Sequence, residues 1–353
     1  MLIDFNDILI TPAPISKIRS RKDINPHTYN IGTIGWLPVI VSPMDTVISI
    51  KNWKLFIDEK MPICFPRGIK PSDIPECDQA LLLSYKDVIF FSYSLDESSI
   101  LIKDIIEKKN DDTFNILIDI ANGNMSHMID ILKELKSVSK NKIMVGNIAN
   151  PETYRILSEA GADYIRCGIG FGGGCLTSMN VGIGYPMASL IKDCYDIKVE
   201  INGAKIVADG GFREYSDIIK GLALGADFIM LGSILNKSLE SAGDTFWSNK
   251  FFTMKVGDNF AKFLWKKGQT LEKKFRGMST KEVQKEWGRK NLKTSEGVVR
   301  MRTVKYTLSG WRINFEDYLK STMSYTNSKT LNDFIGRVNY TIISQNTFNR
   351  FLK

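Results

Sequence analysis

The chain has 353 residues, 43% hydrophobic and 24% charged, a balance that suits a soluble globular fold and excludes a disordered one. No apolar run approaches the ~18–20 residues of a membrane-spanning helix, and Met1-Leu2-Ile3-Asp4 lack the basic and apolar regions of a signal peptide, so a cytoplasmic protein without a membrane partner is expected. Lys+Arg is 47 against Asp+Glu 39, a net charge of +8 that fits a phosphorylated small molecule; without zinc-finger spacing or an aromatic-basic module, no nucleic-acid partner is expected.

Eight short apolar runs follow one another at 37–44, 62–67, 87–94, 115–122, 142–148, 163–170, 204–211 and 227–234. Most hold β-branched or aromatic residues over a length typical of buried parallel strands; 62–67 is the weakest. Segments 126–138, 151–160 and 216–224 between them read as amphipathic helices, with Pro151 suited to a first turn. Strands alternating with helices predict an α/β fold, a (β/α)8 TIM barrel over 1–353, with an open doubly wound sheet as the rival. Residues 236–310 carry much charge and few strand runs, and read as a long active-site flap within the barrel after its last strand. Helix resumes over 313–335 and closes the barrel.

Barrel chemistry sits at the C-terminal ends of the strands. The predicted ends are small and polar: Ser42-Pro43-Met44-Asp45, Asp119 to Gly123, Gly146-Asn147, Gly168-Ile169-Gly170, Ala208 to Gly211 and Leu231-Gly232-Ser233. The sixth runs into Gly168-Ile169-Gly170-Phe171-Gly172-Gly173-Gly174-Cys175-Leu176-Thr177, with five glycines in seven residues. Such a backbone approaches a ligand closely, offering N–H groups to anions and carbonyls to cations. Cys175 in that loop is a candidate nucleophile, or else a small thiol beside a turn. Cys64, Cys167 and Cys194 read as buried structural thiols and Cys77 as a helix or loop residue; an odd count of five without CxxC spacing argues against disulfides and structural zinc. His27 and His127 are the only histidines, so a Ser-His-Asp triad has just these two to draw on. Asp209-Gly210-Gly211 and Gly232-Ser233 follow the seventh and eighth strands, where barrels commonly bind phosphate, with Asp209 suited to ribose hydroxyls. No GxGxxG follows a first strand and the glycine run at Gly168 lacks the ensuing acidic residue, so a Rossmann site is poorly supported, and no Walker A motif is present.

These residues resemble the inosine-monophosphate dehydrogenase and guanosine-monophosphate reductase family. The likeness rests on Asp4 to Ile10, Ser42-Pro43-Met44-Asp45-Thr46-Val47, Asp119 to Gly123, Gly168 to Thr177, Ala208 to Gly211 and Phe275-Arg276-Gly277-Met278-Ser279, in the family's order from about residue 4 to 325. This length has no room for the regulatory module of ~120 residues, two cystathionine-synthase-like (CBS) motifs, that the dehydrogenases usually carry. The form of Asp119 to Gly123, the short stretch from Arg276 to Ser295-Glu296-Gly297 and the lack of an Arg-Tyr pair there resemble the reductases.

The resemblance implies NADPH-dependent conversion of GMP to IMP and ammonia through a covalent bond from Cys175 to purine C2, with Thr177 and Glu296 as its proton-handling partners. It implies a nucleotide held by Ser42, Met44, Asp209, Gly210, Gly211, Gly232, Ser233, Gly277, Met278 and Ser279. It further implies a cofactor beside Asp119, Asn122, Gly168 and Gly170, a monovalent cation (K+) on Gly170, Gly172 and Cys175, and a homotetramer. Oxidation of IMP to XMP with NAD, and a purine-nucleotide-binding protein without strong catalysis, are the alternatives. The chain departs from the family pattern at Phe171-Gly172-Gly173, where the family has Pro-Gly-Ser and the serine holds phosphate. It also departs at Ser178, where the family tends to Arg or Lys, at Phe65-Pro66-Arg67, and over 245–275, which is longer than the pattern.

Overall fold

A computed structural model describes residues 2–29, 31, 35–108, 113–249, 252–286 and 297–351. A short strand near the N-terminus, β1 (Ile8–Ile10), precedes eight parallel strands: β2 (Val39–Val41), β3 (Ile63–Phe65), β4 (Ile89–Tyr93), β5 (Asn115–Asp119), β6 (Ile143–Ile148), β7 (Tyr164–Cys167), β8 (Lys205–Asp209) and β9 (Phe228–Leu231). They close into a barrel in sequence order, β9 pairing back to β2 through Val39↔Ile229 and Val41↔Leu231. The eight apolar runs are these strands, so the expected (β/α)8 barrel is the observed one. The strands are shorter than the runs because the ladder stops where backbone geometry changes. The run at 163–170 ends its pairing at Cys167, and Gly168 has a φ of +136°.

The barrel is filled. Phe90 on β4 meets Tyr164 on β7 at 5.5 Å between ring centroids, and Tyr164 meets Phe228 on β9 at 6.1 Å. None of these strands are neighbours, so the rings meet across the lumen and form a packed core rather than a pore. The helices between strands bury one stripe each. Ser126–Val138 buries Met128, Ile131, Leu132 and Leu135, the i, i+3, i+4, i+7 face that its spacing predicted. Pro151–Glu159 begins with Pro at its first position behind Asn150, whose side chain accepts from the Glu152 N–H. Leu308–Tyr325 is the last long helix, capped by Thr307 and buried through Trp311, Phe315 and Leu319. Strand β14 (Tyr340–Ile342) then pairs antiparallel with β1, tying the two ends of the chain together.

The stretch between β9 and that helix differs from its sequence reading. It carries a four-stranded antiparallel sheet, β10 (Thr245–Ser248), β11 (Thr253–Val256), β12 (Leu271–Arg276) and β13 (Val299–Thr303), in the order β11-β10-β12-β13. Strand β12 alternates buried and half-buried, but its three inward residues are Leu271, Lys273 and Phe275. The lysine at the middle inward position breaks the apolar alternation that betrays a strand. Lys273 is buried and donates from Nζ to the Ser241 carbonyl at 2.6 Å. Burial holds its pKa down at about 8.

Candidate active site

A cavity of about 480 Å³ opens at the C-terminal ends of the barrel strands, within the range of small-molecule sites. Its floor is made by the ends of β2, β5, β6, β7, β8 and β9, and the insertion covers it with Phe275 and Gly277 to Ser279. Of the residues expected to act, Ser42, Met44, Asp119, Gly168, Gly170, Gly172, Cys175, Thr177, Asp209, Gly210, Gly211, Gly232, Ser233, Gly277, Met278 and Ser279 all line it. Asn122 does not; it is exposed on the loop after β5, where its side chain accepts the Asn124 N–H at 3.2 Å. Glu296 lies outside the described residues. Its neighbour Gly297 forms an antiparallel bridge with Cys175.

The glycine loop brings the thiol into the cavity. Cys175 is half-buried, with Sγ 3.1 Å from Thr177 Oγ1 and its N–H donating to Gly172 O at 2.9 Å. Gly170 needs to be glycine: φ is +86°, and a Cβ there would stand 1.7 Å from Ser178 Oγ. The insertion sheet takes up the loop as an extra rung. Val298 N–H donates to Gly174 O at 3.1 Å, and Gly277 N–H donates to Val298 O at 3.0 Å. Two further contacts hold the sheet over the mouth. Arg276 forms an ion pair with Asp45, its Nε reaching Oδ2 at 3.1 Å. The buried Asn236 amide donates to the carbonyls of Thr46 and Lys274 at 2.8 and 3.1 Å.

Sequence reasoning missed the group that organises the acidic side of the cavity. Arg166 of β7 has a side chain only 6% exposed and joins the carboxylates of Asp119 and Asp209, the latter at 2.8 Å. Burial alone lowers its pKa, and the two carboxylates overcome that and raise it. Asn147 also donates to Asp209 Oδ2 and to Gly168 O, both at 2.9 Å, and Arg67 Nε stands 3.8 Å from Asp119. The signal was an arginine inside an otherwise apolar strand run. Asp209, expected as a ribose ligand, therefore has one oxygen committed to Arg166 and Asn147.

The other cysteines sit away from the cavity lining. Cys64, Cys167 and Cys194 are buried, and burial pushes the Cys64 thiol up. Cys194 is raised by its contact with Cys167 and by burial, and the exposed Cys77 lies on the helix Glu76–Ser84. His27 pairs with Glu316 at 2.8 Å, outside the lining, and the described residues include no cluster of His, Cys, Asp and Glu able to hold a metal ion. No described helix is long and apolar enough to cross a membrane.

Comparison with known proteins agrees with this architecture. The model of the IMP dehydrogenase / GMP reductase domain matches residues 102–350, well over half of the chain. A GMP reductase of Vibrio parahaemolyticus is 27% identical over 361 aligned positions, covering 99% of this chain and 97% of the relative. One of Phytophthora infestans is 29% identical, covering 97% and 91%, and GMP reductase 1 of Rattus norvegicus is 27% identical, covering 97% and 95%. With a closed eight-stranded barrel, a thiol on a glycine loop at its mouth and a family match over most of its length, the chain belongs to the IMP dehydrogenase/GMP reductase family.

Proposed function

We propose that the chain reduces GMP to IMP and ammonia with NADPH. The observation that carries this reading is the pair Cys175 Sγ and Thr177 Oγ1, 3.1 Å apart in a nucleotide-sized cavity. Relatives named GMP reductase, aligned along nearly the whole chain, support the direction of the reaction.

The chemistry required of the residues is specific. The Cys175 sulfur adds to C2 of the purine, the 2-amino group takes a proton and leaves as ammonia, and a thioimidate remains. The Thr177 hydroxyl, in contact with the sulfur, passes the proton, with Glu296 as its partner. NADPH, when bound, supplies the hydride that C2 receives and departs as NADP+. The C2–S bond then breaks, the electron pair returning to Cys175, and IMP is released. Water must be kept from the thioimidate, which it would divert to a hydrolysis product, and the insertion residues lining the mouth are placed to limit its access.

Glycine-lined ends of β8 and β9 at Gly210, Gly211, Gly232 and Ser233 suit the phosphate, and the Met278–Ser279 backbone suits the base. Asp119, Ile120 and Ala121 form an opposite wall with apolar surface beside a carboxylate, which fits a nicotinamide ring and its polar edge. Gly170 and Gly172 carbonyls with that of Cys175 are hard oxygen donors suited to K+, which would fix the loop. Five free thiols suit a reducing cytoplasm, and a homotetramer belongs to the same reading.

The test is direct. Purified protein with GMP and NADPH should lose absorbance at 340 nm and release ammonia in equal amount. A rise with IMP and NAD, without decay in the first assay, overturns the reductase reading for the dehydrogenase.

A further inference from the structure

The family serine that holds phosphate is replaced here by Gly173. The space beside that glycine is not open. A Cβ at Gly173 would stand 2.8 Å from Arg302 Nη2, 3.1 Å from Ser233 Cβ and 3.2 Å from Ser233 Oγ. Arg302 enters from β13, its guanidinium carbon 4.7 Å from the centroid of the Phe275 ring, and its Nη2 donates to Gly173 O at 3.3 Å. The guanidinium thus lies beside Gly173, Ser233 and Phe275, which line the cavity, while Arg302 itself stands just behind that lining.

Its charge sets it apart from the other arginines at the mouth. Arg166 faces Asp119 and Asp209, Arg67 faces Asp119, and Arg276 faces Asp45 and Glu282. Arg302 forms no ion pair with any described carboxylate, and the charge that acts on it most strongly is that of another cation, Arg300. Its Nε is buried without a hydrogen-bond partner. Burial and Arg300 both pull its pKa down from the ordinary value, which is the mark of a cation lacking an anion. A half-buried guanidinium stacked on a ring, anchored only by Nη2 on Gly173 O and without a counter-charge, is suited to take an anion such as a phosphate monoester.

We infer that Arg302 is a ligand of the substrate's 5′-phosphate and takes over the duty of the missing serine at Gly173. The glycine is then part of the arrangement: any side chain at 173 would push the guanidinium out of the corner it occupies. The inference rests on the nucleotide reading above and adds to it a recognition residue on the insertion.

The experiment is calorimetric titration of the full chain with GMP and with guanosine, which lacks the phosphate. Arg302→Met keeps an apolar stem on Phe275 and removes the charge. It should weaken GMP about 10- to 100-fold and leave guanosine unchanged, so that the two ligands converge. Arg302→Lys keeps a charge but not the fork, and should weaken GMP about 3- to 10-fold. It carries the same comparison should the methionine variant not fold. Equal GMP affinity in wild type and variants, or a parallel loss of GMP and guanosine, overturns the inference while leaving the function standing. A wild-type chain that binds no purine nucleotide overturns the functional reading and the inference with it.

Discussion

Replacing Arg166 by methionine tests the physics of the acidic wall. Arg166→Met leaves the side chain's volume in place but takes the cation from Asp209 and leaves Asp119 only its longer contact with Arg67. Removing one member of a buried ion pair costs about 3–5 kcal/mol, because the remaining charge stays desolvated. The lower end applies, since Asp119 and Asp209 are 15% and 17% exposed and Asn147 still donates to Asp209. With an unfolding entropy of about 2.1 cal/mol/K per residue over 353 residues, about 3 kcal/mol lowers the melting temperature by about 4 °C. Scanning calorimetry reads this directly. The second arm is the triple variant Arg166→Met, Asp119→Asn, Asp209→Asn, which removes the stranded charge and should recover most of the loss. A single variant that melts within about 1 °C of wild type refutes the argument. So does a triple variant no more stable than the single one, which would make the loss one of packing.

Three further outcomes are expected. Cys175→Ala should lower GMP turnover by at least ~10³-fold while GMP still binds, measured by the 340 nm assay beside calorimetry; retained turnover removes the sulfur from the mechanism. Lys273 is held at about 8 in the fold, below its ordinary value, so between about pH 8 and 10.5 the unfolded chain binds more protons and stability rises with pH. Denaturant melts at pH 8 and 10 should show a gain of about 2 kcal/mol that Lys273→Met lacks; parallel curves for the two proteins would contradict the assignment. Arg276→Met breaks the half-exposed contacts to Asp45 and Glu282, worth about 1 kcal/mol, and should speed protease cleavage within 237–307 while the barrel's melting hardly changes. An unaltered cleavage rate would show that the sheet is held without this ion pair.

The barrel was legible because its signal is local. Each strand is a run such as Ile89–Tyr93 or Ile143–Ile148, apolar on both faces, and each helix repeats its buried stripe within its own residues. Likewise the glycine loop is contiguous, so Cys175 stood out from the residues, and Thr177 followed from the family resemblance. What escaped was assembled from distant parts. Arg166 meets Asp119 and Asp209 only because closure brings the ends of β5, β7 and β8 together, and Tyr164–Cys167 shows an arginine out of place without naming its partners. The sheet of the insertion escaped because Lys273 fills a buried position that letter patterns reserve for apolar residues. Arg302 was hidden in the same way, its meaning lying in its contact with Gly173 across the fold.

The backbone beside the thiol hangs from the edge of β13 through the Cys175–Gly297 bridge and the Val298 to Gly174 hydrogen bond. Peptide groups joined this way transmit displacement without intervening side chains. A change in pitch of the outer sheet, from a substitution at Val299 or Met301 on its exposed face, therefore reaches the sulfur through two amide contacts. Exposed positions outside the cavity lining thereby become a means of adjusting where the nucleophile points, while the ring-filled lumen beneath stays untouched.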